Sequence, residues 1–234
     1  MDNCCCKNDE ICGEIVKLGK ENIKPKVLLH SCCGPCSTAV IERLFGDYRI
    51  TVFYYNPCIT ENDEYEKRKH EQIRFIDEFN KDLDEEQRVR YIEGSYRPEE
   101  YLDLVKGLET EPEGGARCTV CFRQRLEETA RIAKEYDFDF FASTLTVSPH
   151  KNYALIAEIG RDCEKKYGVS FLDMDFKKKA GFQRSIQLSK EHHLYRQNYC
   201  GCKFSKRWTN NLKGYRYMSK LIKPKNYAPT IPPM

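Results

Sequence analysis

The sequence predicts an α/β domain built on a doubly wound, mostly parallel sheet, with a metal-binding cysteine-rich site at the strand C-termini. Two observations lead there. Short apolar runs alternate with longer amphipathic stretches along most of the chain, and that alternation builds βαβ units and parallel sheets. Clusters of Cys, His, Asn and Ser then follow directly on the ends of three of the apolar runs, where open α/β sheets place their ligand crevice.

The elements follow in order. "KVLLH" at 26–30 is a short apolar run that stops at a cysteine loop, so it reads as a buried strand. A helix is expected over 37–45, with Pro35 close to its first turn, where a missing N–H costs nothing. The β-branched and aromatic run 50–55 reads as a strand. Residues 64–79 form a charged amphipathic helix with Ile73, Ile76 and Phe79 on its apolar face. A brief strand at 89–92 precedes a helix over 98–108 that opens on Pro98. "EPEGGARC" reads as a loop delivering Cys118, and 122–136 as a helix with Phe122, Leu126, Ala130 and Ala133 on one face. A strand at 138–147, a helix at 153–167, a strand at 169–176 and a helix at 183–196 complete the alternation. Residues 1–24 are a polar, cysteine-rich extension, 25–206 the catalytic α/β domain, and 207–234 a basic tail.

Composition narrows the function. At 234 residues, 40% apolar and 32% charged, the chain has the make-up of a folded protein with one principal core. No apolar run approaches the ~20 residues of a membrane span, and "MDNCCCKNDEIC" lacks a secretory signal, so a cytoplasmic protein without membrane contact is expected. In a reducing compartment, thirteen cysteines point to metal binding or redox chemistry rather than to disulfides. The net charge of +3 hides an asymmetry: from 176 onward there are 14 Lys and Arg against the single acid Glu191. That stretch also holds nine aromatics, among them Tyr195, Tyr199 and Trp208. Basic residues interleaved with aromatics suit a nucleic acid with unstacked bases.

Seven cysteines fall into three clusters: Cys32, Cys33 and Cys36; Cys118 and Cys121; Cys200 and Cys202. Cys33-Gly34-Pro35-Cys36 has thioredoxin spacing and the strand–loop–helix setting of a redox dithiol, yet thioredoxin chemistry leaves the other five unused. Four of these thiols could make a zinc site, which also leaves three over. A four-ligand [4Fe–4S] centre plus a second redox or metal element accounts for all of them. Cys4, Cys5, Cys6 and Cys12 sit on the extension, Cys163 reads as a packed residue, and Cys58 lies near a strand end.

On "HSCCGPCS", "YNPCITENDEYEKRK", "RCTVCFRQRL", "STLTVSPHKN", "DFKKKAGFQRSIQLSKEH" and "LYRQNYCGCKFS", the chain resembles the cobalamin-independent epoxyqueuosine reductases, the QueH family. The resemblance implies reduction of epoxyqueuosine to queuosine at the tRNA wobble position, an iron–sulfur cluster, and a fold related to the HUP, adenine-nucleotide alpha hydrolase-like sheets. It implies Cys32, Cys33, Cys118 and Cys121 as cluster ligands. Cys200 and Cys202 would be a redox dithiol or, with Cys36, ligands to a second mononuclear metal, iron or zinc. A disulfide across a one-residue gap would be strained and easily reduced. Two positions depart from the family pattern: Cys36 stands where some members carry Asp, and Cys58 where Asn is common.

No phosphate-binding glycine loop or cobalamin signature is present, so neither ATP nor cobalamin is expected. Asp175, Tyr195 and Tyr199 are candidate proton donors, and His30 and His150 are either donors near the sulfurs or packed histidines. Asn56 is a candidate substrate contact, and Lys177, Lys178, Arg184, Arg196, Lys203 and Arg207 are candidate tRNA phosphate contacts. The electron donor is a separate, unidentified partner. The rival readings are another cluster-dependent tRNA enzyme, such as a sulfur transferase, a zinc-stapled RNA-binding module, and a thiol–disulfide oxidoreductase that acts on proteins.

Overall fold

The computed structural model describes residues 24–206. The extension before Lys24, with Cys4, Cys5, Cys6 and Cys12, and the tail from Arg207 lie outside the described residues. Five strands, β1 (Lys26–His30), β2 (Arg49–Tyr54), β3 (Arg90–Glu93), β4 (Phe140–Ser143) and β5 (Ser170–Phe171), form one sheet in the order β3-β2-β1-β4-β5. Every pairing is parallel. The helices are α1 (Gly34–Leu44), α2 (Asn62–Asn80), α3 (Pro98–Leu104), α4 (Ala116–Glu135), α5 (Tyr153–Tyr167) and α6 (Gly181–Glu191).

The pleat of β1 explains why the strand is apolar throughout. Successive side chains of a strand point to opposite faces, and both faces of this one are covered. Val27 and Leu29 pack with Val40, Ile41 and Leu44 of α1 and with Phe75 and Ile76 of α2. Leu28 faces the other way, into Phe122, Leu126 and Ala130 of α4 and Ile156 and Ile159 of α5. Helices α1, α2 and α6 therefore cover one face and α4 and α5 the other, the doubly wound arrangement expected from the sequence. Each fully buried Leu, Ile or Phe contributes roughly 1.5–3 kcal/mol, so both faces must stay apolar.

Several element bounds differ from those read in the sequence. α1 starts at Gly34, so Pro35 and Cys36 lie inside its first turn. α4 starts at Ala116, which puts Cys118 on a helix and not on a loop. The apolar run 138–147 is a strand only over Phe140–Ser143; the Ser143 hydroxyl then accepts from Leu145 N–H (3.2 Å) and turns the chain into a 3-10 helix over Thr144–Val147. β5 is two residues long. α3 ends at Leu104, ahead of Gly107 with φ 86°. α6 ends at Glu191, ahead of His193 with φ 49°.

Strand order reverses between β1 and β4. That reversal opens a crevice at the carboxyl ends of these two strands, and His30, at the end of β1, lies in register with Phe53 on one side and Ser143 on the other.

Candidate metal centre

The crevice is lined with sulfur. Cys32, Cys33 and Cys36 follow β1, and their three Sγ atoms all lie within 4.8 Å of one another. The Cys32 and Cys33 sulfurs are 3.8 Å apart. Cys33 sits immediately before α1 and Cys36 is the third residue of that helix, so the helix start folds the two-residue gap back onto Cys32. Beside this triad, one cavity is walled by Cys58, Cys118, Cys121, Cys200 and Cys202, together with Arg117, His150 and Lys151. Cys118 and Cys121 are three residues apart on α4, a spacing that puts both on one helix face. All nine described cysteines are free thiols.

Packing from distant elements brings Cys200 and Cys202 into this wall. The Arg68 side chain, only 1% exposed, donates from Nη1 to the Cys200 carbonyl (3.0 Å) and from Nη2 to the Tyr199 carbonyl (3.2 Å). Its Nε donates to Glu64 (2.7 Å), one turn earlier on α2. Between the two cysteines Gly201 holds φ +123°, and a Cβ there would lie 3.0 Å from Ile59 and 3.1 Å from Arg68 Nη1. The sharp turn expected of this glycine is present, and no other residue fits it without strain.

The thiols are electrostatically uneven. Hydrogen bonds from the Cys33 and Cys36 thiols hold Cys32 well below the usual thiol range against the cost of burial. Cys33, in turn, is pushed up to about 12 and Cys36 is raised as well. A hydrogen bond from Cys121, helped by Arg125 and Arg68, brings Cys58 down to about 6, and Cys121 is raised. Burial pushes Cys200 up to about 11.

Two cations balance the resulting thiolates. Arg125, 2% exposed, donates to Cys121 Sγ (3.1 Å) and is kept charged, against burial, by Cys121, Cys58, Cys200 and Cys32. Lys151, partly exposed on the same cavity wall, has its pKa raised by the nearby Cys200, Cys32 and Cys36. A thiolate is the form of cysteine that binds metal, and buried charge persists only where it is paired. Soft sulfur donors with buried counter-charges suit zinc or iron–sulfur centres rather than hard cations.

The supporting residues are equally specific. Gln197 Nε2 donates to Cys33 Sγ (2.9 Å), and Gly114 N–H to Cys118 Sγ (3.2 Å). His30 is a packed strand-end histidine and not a donor to sulfur. Its Nε2 reaches the Tyr55 carbonyl (3.1 Å) and its Nδ1 the Ser143 hydroxyl (3.0 Å). The carbonyl can only accept, so we assign the proton to Nε2. Burial, with Arg125 nearby, lowers the His30 pKa to about 3, so the ring is neutral.

Other expected site residues stand elsewhere. Asn56, read as a substrate contact, is instead fully buried; it donates to the Ser31 carbonyl (2.8 Å) and accepts from Arg125 (3.5 Å), which holds the cysteine loop. Asp175 faces Lys177 (3.4 Å) and Tyr195 hydrogen-bonds Glu64 (3.1 Å). Tyr199 lies with its ring under Arg68 (5.4 Å) and is pushed up to about 12 by burial. None of these three lines the thiol cavity, whereas His150 does. Arg184 is clamped by Glu42 (2.6 Å) and Arg196 donates to Ser189 (3.0 Å). Lys178 and Lys203 are exposed.

Arg68, Arg125, Lys151 and Gln197 were not singled out by the sequence, and Cys58 was set aside. Only Arg125 carried a readable signal, standing one turn beyond Cys121 on the same helix face.

Among the described residues no helix is long and apolar enough to cross a membrane. Residues 27–208 match the family model described as epoxyqueuosine reductase QueH. Curated proteins of that name are similar over most of their length. The Streptococcus pyogenes serotype M1 protein is 44% identical over 84% of this chain and 77% of its own. The Staphylococcus epidermidis protein is 43% identical over 80% and 78%, and the Thermotoga maritima protein 38% identical over 76% and 89%. With a family model spanning most of the domain and relatives this similar, the chain belongs to the QueH family of epoxyqueuosine reductases.

Proposed function

We propose that this chain is an oxidoreductase that converts epoxyqueuosine to queuosine at the wobble position of tRNA, using an iron–sulfur cluster held at the switch point of its sheet. The observation that carries this reading is the gathering of thiols from four separate segments around Arg125 and Lys151, in a chain of this family. Cys32, Cys33, Cys118 and Cys121 are the proposed cluster ligands. Cys36, Cys200 and Cys202 would hold a second metal, iron or zinc, unless Cys200 and Cys202 cycle instead as a dithiol. When bound, the cluster supplies single electrons and a second metal a Lewis acid.

The chain's own residues prepare the site. Arg125 keeps thiolates available before metal arrives. Gln197 and the Gly114 N–H orient Cys33 and Cys118. Arg68 fixes the Cys200–Cys202 turn over the cavity. Removing an epoxide oxygen as water takes two electrons and two protons, and the electrons come from a separate low-potential donor. Lys177, Lys178, Arg184, Arg196 and Lys203, with Arg207 beyond the described residues, are proposed to meet the tRNA phosphates. Arg184 would first have to leave Glu42.

Anaerobic purification, metal and sulfide analysis, and assay on epoxyqueuosine-bearing tRNA with dithionite test the reading. The expected result is a brown, iron- and sulfide-containing protein that forms queuosine. A colourless, zinc-only protein that binds RNA without turnover would overturn it.

A further inference from the structure

We propose that the Lys151 ammonium is the group that binds the epoxide oxygen and carries its developing negative charge as the ring opens. The proposal rests on the epoxyqueuosine reductase reading above.

Four observations support it. Lys151 is on the wall of the same cavity as Cys118, Cys121, Cys200 and Cys202, so a substrate reaching those sulfurs reaches this side chain. Its backbone is fixed: its N–H donates to the Ser148 carbonyl (3.3 Å), its carbonyl accepts from Lys177 (3.4 Å), and Asn152 beside it caps α5. The ammonium forms no ion pair with a carboxylate among the described residues; Asp175 pairs with Lys177 instead. Finally, the cavity wall it shares carries sulfurs from two distant segments, Cys118 and Cys121 on α4 and Cys200 and Cys202 near the C-terminal end of the domain. It is a partly exposed cation on that wall, with hydrogen-bonding capacity to offer a ligand. Of the other expected donors, Asp175, Tyr195 and Tyr199 do not line the cavity, and His150 does.

The chemistry matches. Deoxygenation breaks both C–O bonds of the epoxide, forms a carbon–carbon double bond, and takes up two electrons and two protons to release water. In the assay dithionite supplies the electrons. As the first C–O bond breaks, charge collects on oxygen. A cationic donor beside that oxygen stabilises the charge more than it stabilises the neutral epoxide.

The test uses full-length wild type, Lys151→Met and Lys151→Ala, each loaded anaerobically. Iron, labile sulfide and circular dichroism are expected to match across the three. In unreduced wild type, epoxyqueuosine-bearing tRNA should bind about tenfold more tightly than queuosine-bearing tRNA, as one charged hydrogen bond allows, and Lys151→Met should erase that preference. The single-turnover rate should fall ~10²–10³-fold, the loss typical of one missing oxyanion donor, and added methylamine should restore part of it in Lys151→Ala. A Lys151→Met rate within threefold of wild type would overturn the proposal, as would iron loss in both variants, which would assign Lys151 to metal retention. A wild type that leaves the tRNA unreduced would instead sink the underlying reading.

Discussion

Replacing Arg68 with Met should loosen the Cys200–Cys202 turn while leaving the domain folded. The side chain is buried and makes three charge-assisted hydrogen bonds, to Glu64 (2.7 Å), the Cys200 carbonyl (3.0 Å) and the Tyr199 carbonyl (3.2 Å). Breaking a buried ion pair from one side costs about 3–5 kcal/mol. Here the lower end applies, because the stranded Glu64 carboxylate is 11% exposed and still accepts from the Tyr195 hydroxyl (3.1 Å). A loss of about 3 kcal/mol is within the 5–15 kcal/mol stability of a typical domain, so the variant folds. Applied to local opening, about 3 kcal/mol is roughly a hundredfold. Hydrogen exchange followed by mass spectrometry should therefore show amides of residues 199–202 exchanging about a hundredfold faster in Arg68→Met, with β1 and β4 unchanged. Exchange at 199–202 within threefold of wild type would refute the claim that Arg68 docks this turn.

Three further outcomes are expected. Gly201→Ala places a Cβ at φ +123° and 3.0 Å from Ile59; the strain of ~1–3 kcal/mol should lower iron content with little change in circular dichroism, and full iron content would contradict it. His30, lowered to about 3 from an ordinary 6.5, stays neutral in the folded state while the unfolded chain takes up a proton. Its contribution is therefore complete above pH 6.5 and is lost as pH falls from 6.5 toward 3. Metal-free wild type should lose about 2 kcal/mol more than His30→Gln between pH 6.5 and 5; equal pH slopes in denaturant titrations would argue against a buried neutral ring. Replacing Lys177, Lys178, Arg196 and Lys203 together with Ala should weaken tRNA binding and flatten its salt dependence by up to about 0.7–0.9 log unit for each phosphate no longer neutralised; an unchanged slope would remove these residues from the interface.

The architecture was legible because β1, β2 and β4, the centre of this sheet, are short runs rich in apolar residues, and the long helices carry one apolar face. Errors fell where periodicity has no purchase. The run from Phe138 to Val147 is apolar whether it is strand or 3-10 turn, and the Ser143 hydroxyl that bends it leaves no mark in a hydropathy pattern. Cys118 and Cys121, three residues apart, suit a metal loop and a helix face equally, and the glycines before them favoured the loop. The seven clustered thiols were visible from spacing. Cys58 was not, because a single cysteine after a strand has no partner in sequence. Arg68 and Cys200 are 132 residues apart, so only the packing of α2 against the C-terminal segment could pair them.

The central claim is that thiolates from distant segments share one iron–sulfur centre at the crevice between β1 and β4. Iron and acid-labile sulfide measured per chain in anaerobically reconstituted Cys32→Ser and Cys118→Ser test it most directly. Both single changes should strip or degrade the same cluster, with matching losses of iron, sulfide and visible absorbance. Full iron and sulfide in either variant would show that the two segments do not serve one centre.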